Sequence, residues 1–284
     1  MQSQPRDEVE SAILAPSTPS ATQLNALFDA IASNNILVVT NFLKEGYNPN
    51  TKDENSISIL QLAVEYGHVE LVKILLKHGA RTEDSDQNAA TPLHSAVKVG
   101  DLRLVNLLVE AGAKVDARDK DEARPLHWAC QTGNGKIVEY LLNCRCDKEA
   151  CAKYNTTPLH TAVREGFPDI VVLLLQSKAN IEAITSYHYT PLNIATSKGN
   201  LKVVQVLLNF GANVNATTSQ LYSPLHIAAM QVYGSDLVHL LLDKQANPNV
   251  FDKNHKTPQD LAFQKGHHHI VALLKYKLVF SGFY

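Results

Sequence analysis

The sequence predicts an all-α repeat solenoid, and three observations carry that prediction. A tetrapeptide of the Thr-Pro-Leu-His kind starts at residues 25, 58, 91, 124, 157, 190, 223 and 257, six steps of 33 residues and one of 34. An alanine follows five residues after each start, at Ala30, Ala63, Ala96, Ala129, Ala162, Ala195, Ala228 and Ala262. A valine and a paired apolar step then recur in the same register, as in Val72 with Leu75-Leu76 and Val171 with Leu174-Leu175. A fixed period of this size marks units that cannot bury an apolar face alone and must stack on their neighbours.

Each part of the unit has a physical reason. Thr91-Pro92-Leu93-His94 and Thr157-Pro158-Leu159-His160 are complete copies; Arg124, Thr190, Ser223 and Thr257 open altered ones. Copies at Asn25 and Ser58 are recognisable only by Leu27 with Ala30 and by Leu60 with Ala63. Thr or Ser at the first position offers a side-chain oxygen to a free N–H of the first helical turn. Proline suits the next position, which needs no N–H. Leu and the small Ala then face inward, so that the next unit's helix can come close. Gly67, Gly100, Gly133, Gly166, Gly199, Gly234 and Gly266 are expected to end this first helix in a left-handed conformation. A second helix follows, with apolar spacing such as Leu71, Val72, Leu75 and Leu76. In the seventh unit the valine, Val238, falls one residue late, so an extra residue sits near Tyr233.

Period and tetrapeptide together resemble the ankyrin-repeat family. The resemblance covers nearly the whole chain and implies eight helix-turn-helix units joined by β-hairpin-like loops. They would occupy residues 22–284, at about 22–50, 51–83, 84–116, 117–149, 150–182, 183–215, 216–249 and 250–284. It also implies that His94, His127, His160 and His226 hydrogen-bond to backbone at the neighbouring turn, a structural role. Residues 1–21 have no period; the polar, proline-punctuated run there is expected to be a flexible arm. The apolar tail from Leu278 to Tyr284 is expected to pack over the last helix pair.

Composition excludes several classes. The net charge of −2 argues against a dedicated nucleic-acid binder. No stretch has the apolar length of a membrane span, and Arg6, Asp7 and Glu8 interrupt the place of a secretory signal. Four cysteines in 284 residues do not make a disulfide framework, so the expected compartment is cytoplasmic or nuclear. Cys144, Cys146 and Cys151 are spaced poorly for a tetrahedral zinc site. Cys146 falls in a slot that is Ala80, Ala113 and Ala212 elsewhere, and Cys130 matches Val64 and Val97, so both read as small core residues. Only Cys151, at a hairpin, is expected to be exposed. His267-His268-His269 opens a helix, where consecutive residues point in different directions, so it reads as no metal clip. Phosphate-loop, metalloprotease and nucleophile-elbow signatures are missing. The expectation is a non-enzyme that needs no metal or cofactor.

What remains is a surface. In ankyrin-like stacks the hairpin tips and the exposed end of the first helix line a concave face where partners bind. The tip slots lie six, eight, nine and eleven residues after the Gly of each Gly-Ala step (or its replacement), and the helix slots seven and eight after each start. N-terminal tips are polar, for example Lys52, Glu54, Asn88 and Asp121, whereas C-terminal tips carry Tyr154, Ile184, Tyr187, Tyr189, Tyr222 and Phe251. Those six residues, with Arg164 and Lys198 from the helix slots, are the expected partner-binding set, since tip tyrosines bury nothing in their own repeat; the alternative is that the tyrosines lie flat on neighbouring tips and stiffen the stack. The hairpins depart from the family in one respect. Its Gly two residues before the tetrapeptide is replaced by Ser56, Ala89, Glu122, Asn155, His188, Leu221 and His255, which predicts altered or strained turns. The hairpin aspartate survives only as Asp53, Asp86, Asp119 and Asp252. The function expected is a monomeric scaffold, adaptor or inhibitor that docks another protein, folded or as a peptide, without nucleic acid or membrane. The alternative is a host-directed effector of an intracellular bacterium or virus using the same surface.

Overall fold

The structure is a computed structural model that describes residues 20–280, with side chains through residue 275. The expected arm lies outside the described residues except for Ser20 and Ala21, and the tail's side chains lie outside them too. Sixteen α-helices in eight antiparallel pairs make up the described chain. The pairs are α1 (Ala21–Ala32) with α2 (Ile36–Lys44), α3 (Ile59–Glu65) with α4 (Val69–Lys77), α5 (Pro92–Val99) with α6 (Leu102–Glu110), and α7 (Pro125–Thr132) with α8 (Gly135–Asn143). The second half has α9 (Pro158–Glu165) with α10 (Pro168–Gln176), α11 (Pro191–Ser197) with α12 (Leu201–Asn209), α13 (Pro224–Ala229) with α14 (Ser235–Asp243), and α15 (Pro258–Gln264) with α16 (His268–Phe280).

The tetrapeptide acts as read. Thr157, Thr190, Ser223 and Thr257 each accept a backbone N–H three residues on, and the proline takes the first helical turn. His160 Nδ1 accepts the Thr157 N–H at 3.2 Å, and its Nε2 lies 3.0 Å from the Ala183 carbonyl in the next unit. His94, His127 and His226 repeat this pattern toward Ala123, Thr156 and Lys256. Because Nδ1 accepts, Nε2 carries the proton and donates, so each imidazole is a neutral rivet between two repeats. Burial lowers the pKa of all four, that of His160 to about 4. Asn193 stands in for the imidazole in the sixth unit: Oδ1 accepts from Thr190 and Nδ2 donates to the Ala216 carbonyl at 3.1 Å.

A single apolar ribbon runs through the stack. Leu71, Leu104, Ile137, Ile170, Val203 and Leu237, one from each second helix between α4 and α14, are inaccessible or nearly so, and the seven alanines from Ala63 to Ala262 are completely buried. Helices of six to nine residues are too short to persist alone in water; packing across repeats holds them. Polar stitches reinforce that packing. Each loop N–H of Arg81, Lys114, Asp147, Asn180, Asn213 and Asn247 is capped by an Asn, Asp or Glu side chain of the preceding repeat, at 2.7–3.1 Å.

Six of the seven expected helix-ending glycines, Gly67, Gly100, Gly133, Gly166, Gly199 and Gly266, have φ between 71° and 83°. Gly234 does not: its φ is −78° and it caps the start of α14. The extra residue of the seventh unit lengthens the turn, α13 stops at Ala229, and Gly234 is needed for space instead. A Cβ there would collide with the Ala228 carbonyl oxygen. Of the two forms expected of the hairpins, altered or strained, the structure has the strained one. All seven residues at the missing-Gly position, from Ser56 to His255, adopt φ of 55–63°, so the left-handed geometry survives without glycine.

Candidate concave binding face

The face is built from hairpins and first helices, and the hairpin geometry starts with one side chain. Asp53, Asp86, Asp119 and Asp252 each accept two backbone N–H groups of their own hairpin through Oδ1, at 2.7–3.0 Å. Thr218 does the same more weakly, with Oγ1 3.3 Å from the Gln220 N–H and 3.2 Å from that of Tyr222, while Thr185 Oγ1 accepts the Tyr189 N–H at 3.2 Å. Ala152 has no such oxygen. Its hairpin closes instead through a short 3₁₀ turn at Lys153–Asn155, in which Tyr154 also takes positive φ (61°). Successive tips are laced by backbone bonds, including Lys153 N–H to Asp121 and Ser186 N–H to Tyr154, both 2.9 Å.

Three hollows open along the face. The first, about 480 Å³, is lined by Leu24 and Phe28 of α1 and by Leu62 and Tyr66. The second, about 280 Å³, lies between Ser95, Lys98, Glu65 and Trp128. The third, about 370 Å³, adjoins it on the other side of Trp128 and reaches Thr161, Arg164 and Tyr154. Trp128 is thus the wall shared by two hollows, held by Nε1–H donation to Asp119 Oδ2 at 2.8 Å and by edge contact with His94. It is the chain's single tryptophan and lies four residues after a repeat start, in the register of Leu62, Ser95 and Thr161. Helix slots seven and eight do not include it; periodicity together with that lone tryptophan is the signal that marks it.

The expected partner-binding residues divide into two groups. Tyr154 and Tyr187 are 55% and 59% exposed, and their rings touch at 5.9 Å between centroids, with Lys153 Nζ 5.7 Å from the Tyr154 ring. Ile184 and Phe251 are likewise exposed. Arg164 lines the third hollow and pairs with Glu165 at 3.0 Å, and exposed Lys198 ends α11. Tyr189 and Tyr222, by contrast, are half-buried, and the Tyr222 ring lies 5.9 Å from that of His226. Their slot is the base of the hairpin, directly before the helix cap, so these two rings lean on their own repeat. The premise that tip tyrosines bury nothing there holds for Tyr154 and Tyr187 only.

The other chemistry-bearing residues lie off this face or inside. Cys130 and Cys146 are buried; burial pushes both thiols up, Cys146 to about 12. Cys144 is half-buried and Cys151 exposed. His267 Nδ1 lies 3.0 Å from the Ala229 carbonyl, and α16 begins at His268. Among the described residues no group of three or more His, Cys, Asp or Glu side chains is arranged to hold a metal ion.

A family model described as ankyrin repeats (3 copies) matches residues 27–119, 100–185, 126–218 and 192–279. The chain belongs to the ankyrin-repeat family. The matches cover all eight helix pairs at least in part, in agreement with the register of the tetrapeptides. No curated protein matches the chain. Ankyrin repeats are generally protein–protein interaction modules and are typically non-catalytic. Among the described residues no helix is long and apolar enough to cross a membrane.

Proposed function

We propose that this ankyrin-repeat protein is a non-catalytic docking module, a scaffold, adaptor or inhibitor, whose concave face receives another protein. The observation that carries this reading is the Tyr154–Tyr187 pair. Two large rings stand more than half exposed, in contact with each other at the mouth of the Trp128 hollow. Rigid aromatic side chains with a polar end are the preferred anchors of interfaces, and adjoining hollows offer places for a partner's own anchors. Tyr189, Tyr222, Ile184, Phe251, Arg164 and Lys198 extend the face toward the C-terminal repeats. The module acts as a monomer in the cytoplasm or nucleus, where its four free thiols remain reduced.

The test is site-specific photo-crosslinking in a cell extract, with the reactive amino acid placed at residue 187 or, as a control, at exposed Lys202 on α12. Discrete protein adducts at 187 and none at 202 support the reading. Equal labelling at both sites, or none at 187, rejects it. With a captured partner in hand, Tyr187→Ala should weaken binding by about 1–3 kcal/mol while the melting temperature stays within a degree or so.

A further inference from the structure

Charge is unevenly divided along the concave face. The registers of Asp119 and His127 line the hollows and hold Asp252 and Asp260 in repeat eight. Six other registers of the hollows' linings carry the comparison: three hairpin positions, represented by Glu54, Asn55 and Ala90, and three helix positions, represented by Trp128, Arg164 and Tyr66. Through repeats two to five these registers hold both signs, with Glu54, Glu65 and Asp121 against Lys98, Lys120 and Lys153 among them. Through repeats six to eight the same registers hold four lysines, Lys198, Lys253, Lys256 and Lys265, and no carboxylate.

The two acids nearest to these lysines are engaged elsewhere. Asp252 is 3% exposed and accepts two N–H groups of its hairpin, and Asp260 accepts both the N–H and the hydroxyl of Thr257. None of the four lysines has an ion-pair partner among the described residues. Between them, the hairpin and first helix of repeat seven, residues 216–234, contain no Asp, Glu, Lys or Arg and present Tyr222 and Met230. With Ser219, Gln220 and Gln231 in other registers, the pattern is therefore cationic, uncharged, cationic.

We infer that this end of the face binds an extended acidic segment of a partner protein, with carboxylates at both ends and uncharged residues between. The inference rests on the concave-face reading above and adds the partner's chemistry. Spacing follows from the stack. Lys198 and Lys265 share a register two repeats apart, or about 20 Å at the ~8–10 Å separation of packed helices. An extended chain rises ~3.3 Å per residue, so the two acidic clusters lie about six residues apart. A nucleic acid fits less well. A polyanion continuing along the groove would meet Asp121, Glu65 and Glu54, and lysine point charges lack the arginine fork that grips phosphate.

The experiment is fluorescence anisotropy with the full chain and three probes. These are a labelled peptide with two Asp-Glu pairs bracketing five uncharged residues, the same peptide with Lys-Lys pairs, and a labelled oligouridylate. The acidic peptide should bind and the lysine peptide should not. Affinity should fall steeply as NaCl rises from about 50 to about 300 mM, because exposed charges are screened over that range. Lys198→Glu with Lys265→Glu should raise Kd about tenfold or more, whereas Lys202→Glu on the outer helix should leave it unchanged. Lys198, Lys265 and Lys202 are all exposed, so circular dichroism should show these variants folded. The inference is overturned if the acidic peptide fails to bind, if it binds the double variant equally well, or if the oligouridylate binds more tightly. Should peptide binding fail while crosslinks at residue 187 persist, the docking face stands and its acidic specificity falls.

Discussion

The imidazoles of the tetrapeptide tie residue chemistry directly to stability. Each of His94, His127, His160 and His226 is held neutral, because its Nδ1 faces an N–H and protonation would set two donors against each other. Their folded pKa values lie below the ordinary 6.5, with burial the largest cause. The unfolded chain therefore binds more protons than the folded one below about pH 6.5. Stability is fully present above that pH and declines as pH falls, for His160 by up to ~1.4 kcal/mol per unit down to its folded value of about 4. Urea midpoints between pH 7.5 and 4.5 should trace that decline. His160→Asn, copying Asn193, should flatten it while keeping the fold. An unchanged slope would mean that His160 is charged when folded. A second residue-scale expectation concerns Gly133. Its φ is 78°, and a Cβ there would lie 2.6 Å from Phe167 Cζ. Gly133→Ala should cost about 1–3 kcal/mol, and pairing it with Phe167→Ala should recover part of that loss in a double-mutant cycle.

At the scale of the element, the sequence was a good guide to helices and a poor one to hairpins. Caps, prolines and apolar spacing are local, so helix starts such as Pro92, Pro158 and Pro191 could be read directly. The seven left-handed residues could be read only in part: the missing glycines marked the positions, but nothing in Ala89 or Leu221 itself favours φ near 60° over a different turn. What imposes it is the surrounding hairpin: the aspartate or threonine acceptor and the bond from one tip to the next. Gly234 misled for a related reason, since an inserted residue shifted its role from ending one helix to starting another. The Trp128 hollows arise where side chains of adjacent repeats meet, which a linear register does not display. The strain is testable. Ala89→Gly and Leu221→Gly should each stabilise the protein by about 0.5–1 kcal/mol, the left-handed penalty less the added chain entropy of glycine. The two gains should add, because the sites are four repeats apart. Loss of stability in both variants would show that these turns are not strained.

For the whole molecule, the ribbon-like core makes stability a sum over neighbouring interfaces. Leu159, buried in the middle of the stack, touches that sum on both sides, whereas Leu27 lies in the first described repeat. Leu159→Ala should cost about 2–5 kcal/mol and lower the slope of the urea transition, as the two halves begin to unfold separately. Leu27→Ala should shift the curve less and keep its slope. A sharp, parallel shift for Leu159→Ala would instead show one cooperative unit. The division of the concave face follows the same architecture: because repeats are nearly independent in surface, one end can be cationic while the other is mixed.

The hydrogen bonds described above link positions at most 38 residues apart, the separation of His267 and Ala229. This brevity matters while the protein is being made. At ~5–20 residues per second a ribosome delivers one 33-residue repeat every few seconds, and helix pairing is complete long before the next arrives. Each new repeat finds its only partner already outside the exit tunnel. The nascent chain can therefore fold repeat by repeat in the order of synthesis, exposing at any moment a single unfinished interface.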